Sequence, residues 1–268
     1  MTSVKIIDMH AHIYPDKIAA KAVNAIKEFY DLPMANKEGT VANLKSLAEE
    51  AGVVKVVVHS VATLARQVES INTFVAREAA KDKLFLPFAT LHPDMTKQNI
   101  KNELNRLKEM GIKGIKLHPD FQEFSIDGDA AGKILDCLDG SLPIQMHTGD
   151  KRKNFSSPLK MMQAAKRYPH LRFIAAHFGG WSEWEYAEGY EETPNVFFDT
   201  SSTLEFLDKD RAKEIIDYLG ADRFMFGTDY PMWDYKGELN RIKALGLPSQ
   251  TLEKILYTNA VKFMNLEL

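Results

Sequence analysis

Near the start of the chain two imidazoles and a carboxylate occupy alternate positions, in Asp8-Met9-His10-Ala11-His12. Side chains on a β-strand alternate with a period of two, so Asp8, His10 and His12 share one side. Two imidazoles at that spacing can bind one metal ion together. A His-x-His pair alone is a weak signal, because it also arises on surfaces. It gains weight from His147 in Met146-His147-Thr148-Gly149, His177 in Ala176-His177-Phe178-Gly179-Gly180 and Asp229 in Gly227-Thr228-Asp229-Tyr230-Pro231. Three neutral imidazoles and a carboxylate with an open position are the donor set of a catalytic zinc-like site. Read singly, His147 and His177 can also be hydrogen-bonded core histidines, and Asp229 a turn residue before proline. The glycines that follow both histidines favour a site, since glycine lets backbone and ligand approach closely.

The elements that must position these groups are short apolar runs at residues 4–9, 53–59, 84–90, 114–117, 143–147, 172–177, 196–200 and 223–228. Rich in Val, Ile, Leu and Phe, they read as eight strands buried on both faces. Helical patterns lie between them, among them 67–81, 96–110, 129–138, 158–167 and 208–219. Asp208 and Ser157 are placed to cap helices, and Gly111 and Gly220 to end them. Strand–helix alternation implies a parallel sheet with crossovers. Eight repeats predict a (β/α)8 barrel, with an open doubly wound sheet as the alternative. Two extra helices are expected within 14–52, between the first two strands, and another at the C-terminus, over 249–264. No glycine-rich phosphate loop follows the first strand, which weakens a dinucleotide-binding reading. Of the eight histidines, His10, His12, His59, His92, His118, His147 and His177 fall at or just past the C-terminal end of a predicted strand; His170 precedes one. Barrel active sites sit at that end of the strands.

The 268 residues suffice for one core and one barrel, so a single domain over 1–268 is expected. The net charge is -3, from 34 basic and 37 acidic residues, and Lys151-Arg152-Lys153 is too short for a nucleic-acid footprint. Cys137 is the one cysteine, so no intrachain disulfide forms; predicted inside a helix, it reads as a small core residue. No apolar run approaches the ~20 residues that span a bilayer, and the N-terminus lacks a signal-peptide pattern. The expectation is a cytoplasmic protein with a small-molecule substrate, no nucleic-acid or membrane partner, and a homodimer as a possible assembly, dimers being common in this fold.

Taken together, these motifs resemble the amidohydrolase superfamily. Within it they resemble the branch that includes aminocarboxymuconate-semialdehyde decarboxylase and the resorcylate decarboxylases. The similar order runs from residue 4 to about 265, and Ile255-Leu256-Tyr257-Thr258-Asn259-Ala260 resembles that branch's last helix. The resemblance implies a distorted barrel in which His10, His12, His147 and Asp229 hold one divalent metal, most often zinc. It implies that His177 orients or deprotonates the metal's water, and that Asp229 can also take up a proton. In two-metal members a carboxylated lysine on strand four bridges the ions; Lys116 could serve there, with His177 on the second ion. The branch is usually mononuclear, so one metal is expected, and Lys116 is then a substrate-binding group or part of an internal ion pair. His118, nearer the strand's end, faces ligand more readily, and His59 and His92 are further candidates for the pocket. Trp181, Trp184, Tyr230 and Trp233 offer an apolar wall for a planar substrate, or else lid packing or a subunit contact.

Two enzyme classes fit that donor set. In hydrolysis, metal-bound water attacks an ester, lactone or amide carbonyl. In non-oxidative decarboxylation of an aromatic or dienoic acid, the metal holds the acid, a carbon is protonated and carbon dioxide leaves. Decarboxylation also needs a cation placed for the substrate's carboxylate. The candidates are Arg66, Lys151 and Arg152, the last two on a loop expected to point away. Hydrolysis is therefore the expected reaction and decarboxylation the alternative, although the resemblance leans toward decarboxylases. A metal-free binding protein would require lost ligands, and none is lost. Replacing His177 with alanine should leave about one equivalent of metal while lowering turnover about a hundredfold, as loss of a general base does. A fall from two equivalents to one in elemental analysis would establish the two-metal site with Lys116 instead.

Overall fold

The computed structural model describes residues 4–267. Every predicted strand forms: β1 (Ile6–His12), β2 (Val53–His59), β3 (Phe85–Ala89), β4 (Gly114–Leu117), β5 (Ile144–Met146), β6 (Phe173–Ala175), β7 (Val196–Asp199) and β8 (Phe224–Met225). They follow one another in the sheet in the order β1-β2-β3-β4-β5-β6-β7-β8. Each connection carries helix, which makes this a (β/α)8 barrel. The connection from β6 to β7 is a 3-10 helix, Trp184–Glu192, where the others carry α-helix. The extra helices are Asp16–Tyr30 and Val41–Glu50 between β1 and β2, and at the C-terminus Ser249–Glu253, a π-turn Lys254–Thr258 and Asn259–Met264. Among the described residues no helix is long and apolar enough to cross a membrane.

Several strands are shorter than their apolar runs, β8 most of all, and Ser157 stands at the N-cap of Pro158–Arg167 without a side-chain capping bond. Two further details differ from the sequence pattern. β1 continues to His12, because His10 and His12 interrupt the apolar run yet lie buried in the strand. Cys137 lies beyond the helix Asp129–Leu135 and is only half-buried, the chain having tightened into a Cys137 N–H to Ile134 carbonyl bond of 3.0 Å.

The chain forms two compact units. The first comprises the chain up to His59, Glu78–Leu86 and Thr200 onward. In it β1 pairs in parallel with β2, from Ile6 opposite Val53 to His12 opposite His59, with a register irregularity between Asp8 and Ala11. Met9 N–H donates to Phe226 O at 2.9 Å, and Phe226 N–H to Ile255 O at 2.8 Å, which ties β1, the end of β8 and the C-terminal helical stretch together. Asn259 Nδ2 adds bonds of 2.8 Å to the carbonyls of Ala221 and Phe224. Ile7, Met9, Val57, Phe224 and Phe226 have no exposed surface, and each such side chain contributes about 1.5–3 kcal/mol by burial.

The second unit, Ser60–Arg77 and Pro87–Asp199, carries β4 to β7 in parallel register, with Ile115 opposite Ile144, Ile144 opposite Phe173 and Phe173 opposite Val196. The end of β3 is held by buried Asn72 of the helix Val68–Lys81. Its amide donates to Thr90 O at 2.9 Å, accepts from Thr90 N–H at 2.7 Å and donates to Glu103 at 2.7 Å. Arg106 closes the network on Glu103 at 2.7 and 2.8 Å. Leaving such buried groups unpaired costs about 1–3 kcal/mol each, so the network fixes where the chain leaves β3 towards His92.

In the first unit Glu238, on the helix Tyr235–Lys243, is buried against Arg241 at 2.8 Å. Burial outweighs the arginine and raises its carboxyl from 4.5 to about 8. Between those values the folded protein keeps a proton that the unfolded chain has lost, so this group makes stability fall as pH rises through the window. Glu238→Gln should flatten that decline between about pH 5 and 8 in denaturant unfolding; an unchanged slope would show that Glu238 is ionised throughout.

Candidate active site

In the first unit, the C-terminal end of β1 buries His10 and His12 with Nε2 of each aimed at one carboxylate oxygen. His10 Nε2 lies 3.3 Å and His12 Nε2 3.2 Å from Asp229 Oδ1. Neighbouring atoms hold that aim. Ser201 Oγ lies 3.1 Å from His10 Nδ1, a contact in which either group can donate. Ser202 Oγ donates to Asp229 Oδ2 at 2.6 Å and accepts from Trp233 Nε1 at 2.9 Å. Asp229 N–H donates to His10 O at 2.8 Å. Its φ of 61° lies in the left-handed region, uncommon outside glycine and typical of strained functional positions. Asp8 turns to the backbone instead. It accepts from Thr228 Oγ1 at 2.6 Å, Thr228 N–H at 3.1 Å and His10 N–H at 2.9 Å. Burial pushes its carboxyl up to about 7 in spite of those bonds. Donors about 2.1 Å from a tetrahedral cation stand about 3.4 Å apart, so the spacing of the two Nε2 atoms from Oδ1 fits a shared divalent ion.

In the second unit, His147 and His177 follow β5 and β6. His147 Nε2 lies 2.9 Å from Gly149 O, and its Nδ1 lies 3.0 Å from His177 Nε2. A carbonyl only accepts, so Nε2 carries the proton and Nδ1 presents a lone pair. His177 has φ 62°. Its N–H donates to Asp199 Oδ1 at 3.2 Å, and its carbonyl accepts from Trp184 Nε1 at 3.0 Å. His118 is stacked between Phe121 and His147, with ring centroids at 3.8 and 4.1 Å. Asp120 Oδ2 accepts from Ser156 at 2.6 Å and lies 3.6 Å from His147 Nε2. Burial pushes that carboxyl up to about 7.

The loop after β5 is tied down by hydrogen bonds, with Lys151, Arg152 and Lys153 exposed. Gly149 N–H donates to Ser156 O at 2.6 Å, Trp181 N–H to Thr148 O at 2.8 Å, Asp150 N–H to Glu183 at 3.0 Å and Lys151 N–H to Ser182 Oγ at 3.1 Å. Gly149 has φ 87°, and a Cβ there would come within 2.4 Å of Gly180 and Trp181 backbone, so only glycine fits. The clamped loop lays Arg152 over the Trp181 ring, 5.4 Å from its centroid, and the Trp181 and His147 centroids are 6.5 Å apart. Buried Asp150 grips the same guanidinium at 2.9 and 2.8 Å.

The remaining sequence candidates fall as follows. His59 is fully buried, its ring centroid 4.4 Å from that of His12 and 5.0 Å from that of His10. His92 is buried, with Nδ1 accepting from Asp94 N–H at 3.2 Å. Lys116 is fully buried in β4. Tyr230 donates its hydroxyl to Thr40 O at 3.1 Å, and burial raises its pKa to about 12. Sequence reasoning missed Asp120, Asp199, Ser201 and Ser202. Their signal was position: His118-Pro119-Asp120 and Asp199-Thr200-Ser201-Ser202 sit at the ends of β4 and β7, as the histidines sit at other strand ends.

The fold has close counterparts among solved structures. The chain is similar to 5-carboxyvanillate decarboxylase from Sphingomonas paucimobilis, at 14% identity, 99% and 100% coverage of the two chains and TM-score 0.75. It is similar to an uncharacterized TIM-barrel protein from Bordetella bronchiseptica, at 20% identity, 97% and 98% coverage and TM-score 0.79. It is also similar to a dihydroxybenzoic acid decarboxylase from Polaromonas with bound manganese and the inhibitor 2-nitroresorcinol, at 16% identity, 98% and 97% coverage and TM-score 0.73. No curated protein matches the sequence. The amidohydrolase family model matches residues 7–266, nearly the whole described chain. With its histidines and aspartate buried at the strand ends of the barrel, the chain belongs to the amidohydrolase family of metal-dependent enzymes.

Proposed function

We propose that the chain is a metal-dependent carboxy-lyase for a small aromatic or dienoic acid. The observation that carries this reading is Arg152, held over the ring of Trp181, whose centroid lies 6.5 Å from that of His147. The sequence alone favours hydrolysis because it offers no cation placed for a carboxylate; the hold of Asp150 and Trp181 on Arg152 supports that residue in the part. Arg–Asp150 pairing orients the guanidinium without leaving a bare charge. The two decarboxylases among the similar structures lean the same way.

The metal ligands in this reading are His10, His12, His147 and Asp229, by motif position in the family. The spacing of Asp229 from His10 and His12 supports their part, and His147 enters by motif position alone. One ion is proposed. The manganese of the dihydroxybenzoic acid decarboxylase puts Mn2+ beside Zn2+ as the ion to test. A divalent cation bound by these residues supplies a Lewis acid for the substrate's oxygens.

The chain's own groups do the rest. Arg152 pairs with the carboxylate, and Trp181 stacks on the planar acid. Loss of carbon dioxide breaks the carbon–carboxylate bond and leaves its electron pair on carbon, which must take up a proton. His177 is the group assigned to move that proton, its backbone fixed by Asp199 and Trp184. Asp229 Oδ2, bonded to the Ser202 hydroxyl, gives a second carboxylate path for it. His118, stacked on His147, and buried His59, His92 and Lys116 are assigned to the pocket.

A panel of hydroxybenzoates, dienoic acids, lactones, amides and aryl esters, followed by carbon dioxide release and by acid production, tests the reaction class. Metal-dependent carbon dioxide release is expected; hydrolysis of any panel member without decarboxylation would return the chain to the hydrolases. For the acid that turns over, Arg152→Ala should raise KM about tenfold or more with metal content unchanged, since a charge-assisted pair to a carboxylate is worth about 1.5–3 kcal/mol. An unchanged KM would remove Arg152 from substrate recognition.

A further inference from the structure

We propose that Trp233 is a positioning residue of the metal site, acting through the Ser202 hydroxyl on the carboxylate of Asp229. The inference rests on the metal-enzyme reading with His10, His12, His147 and Asp229 as ligands, and gives the indole a part that the motifs do not assign. A serine hydroxyl has one proton, and an indole N–H can only donate. Trp233 Nε1 donates to Ser202 Oγ at 2.9 Å, so the hydroxyl's own proton must point elsewhere. Asp229 Oδ2 lies 2.6 Å from Ser202 Oγ, and Met232 Sδ 3.6 Å. A thioether is a weak acceptor and a carboxylate a strong one, so the proton goes to Asp229. Oδ2 is thereby pinned, and Oδ1 is the oxygen that lies 3.3 and 3.2 Å from Nε2 of His10 and His12. Rotation of a carboxylate about its last bond is otherwise soft; here it would break the bond to Ser202.

The indole is itself held. The Arg241 guanidinium lies over its ring, 4.9 Å from the centroid, and Phe206 meets it edge-on at 5.9 Å. Arg241 is fixed in turn by Glu238 at 2.8 Å and by Glu205 at 2.8 Å. Asn36 Nδ2 donates to the Trp233 carbonyl at 3.1 Å. Trp233, Ser202 and Asp229 are all buried within the first unit. Ser202 has φ 50°, a region that favours glycine, and a serine there keeps the one group that glycine lacks. Packing alone would use the indole's ring and not its N–H, and this separates the two accounts.

The test titrates Co2+ into metal-stripped full-length protein, following the dissociation constant and the visible absorption of the bound ion. Wild-type protein should bind Co2+ at a single site. Trp233→Phe keeps a ring for Arg241 and Phe206 and removes the N–H. It should weaken Co2+ binding about tenfold or more, as loss of groups behind metal ligands does, and shift the visible bands. In a Ser202→Ala background the same substitution should change affinity by less than about twofold, because the path to Asp229 is already cut. Trp233→His, whose ring keeps an N–H where the indole has one, should recover most of the loss, and serves in place of the phenylalanine variant if that does not fold. Ser202→Gly, suited to the backbone there, replaces the alanine variant in the same way. Three outcomes would each overturn the positioning role while leaving the metal-enzyme reading intact: Trp233→Phe with wild-type affinity and spectrum, an equal loss with and without the Ser202 hydroxyl, or a histidine variant as weak as the phenylalanine one. Wild-type protein that takes up no Co2+ would overturn both.

Discussion

A neutral imidazole has two nitrogens and one proton, and the protein atom that takes the proton decides what the other nitrogen can do. That constraint organises the strand ends of this barrel. At His10 the Ser201 hydroxyl holds Nδ1, and Nε2 faces Asp229. At His147 it is the carbonyl of Gly149, on Nε2, and Nδ1 is left to face His177. The two histidines therefore offer opposite nitrogens, and neither choice is a property of histidine. The Gly149 carbonyl is where it is because the loop turns through a left-handed glycine with no room for a side chain.

The backbone carries conformations that an ordinary core would not retain. Asp229, His177, Phe178 and Ser202 all have positive φ without being glycine, each at an expected cost of about 1–3 kcal/mol. Bonds around them hold that geometry. Asp229 N–H is tied to His10 O, and Phe178 N–H to Asp199 O. Asp8 binds both the hydroxyl and the N–H of Thr228. The carboxylate of the Asp8-Met9-His10 run is thus a brace, and its three donors offset only part of the pressure of burial on its charge.

The choice between hydrolysis and decarboxylation turns on a single cation. Both reactions use the same donors, and what separates them is recognition of a carboxylate before chemistry begins. Arg152 is exposed, and its guanidinium is held by a fully buried aspartate and an indole ring, so part of its side-chain freedom is already lost before binding.

From the amino acids alone, the eight strands and the place of the chemistry were legible. A parallel strand buried on both faces is apolar nearly throughout, so its polar residues stand out, and seven histidines stood at strand ends while His170 did not. The distance of His12 from His10 was legible too, because a strand's period is local. Which atoms act on those rings was not. Ser201 and His10 are 191 residues apart, and Ser202 and Asp229 27; hydroxyls carry no periodicity, and their partners exist only once loops meet. What ties down the loop of Arg152 was not legible for the same reason, since its bonds come from Ser182 and Glu183, some thirty residues on. His59 was legible as a strand-end histidine, but its nearness to His10 and His12 depends on strand register. Local spacing follows from backbone geometry, which every sequence shares; register and loop contact follow from packing, which only the folded chain decides.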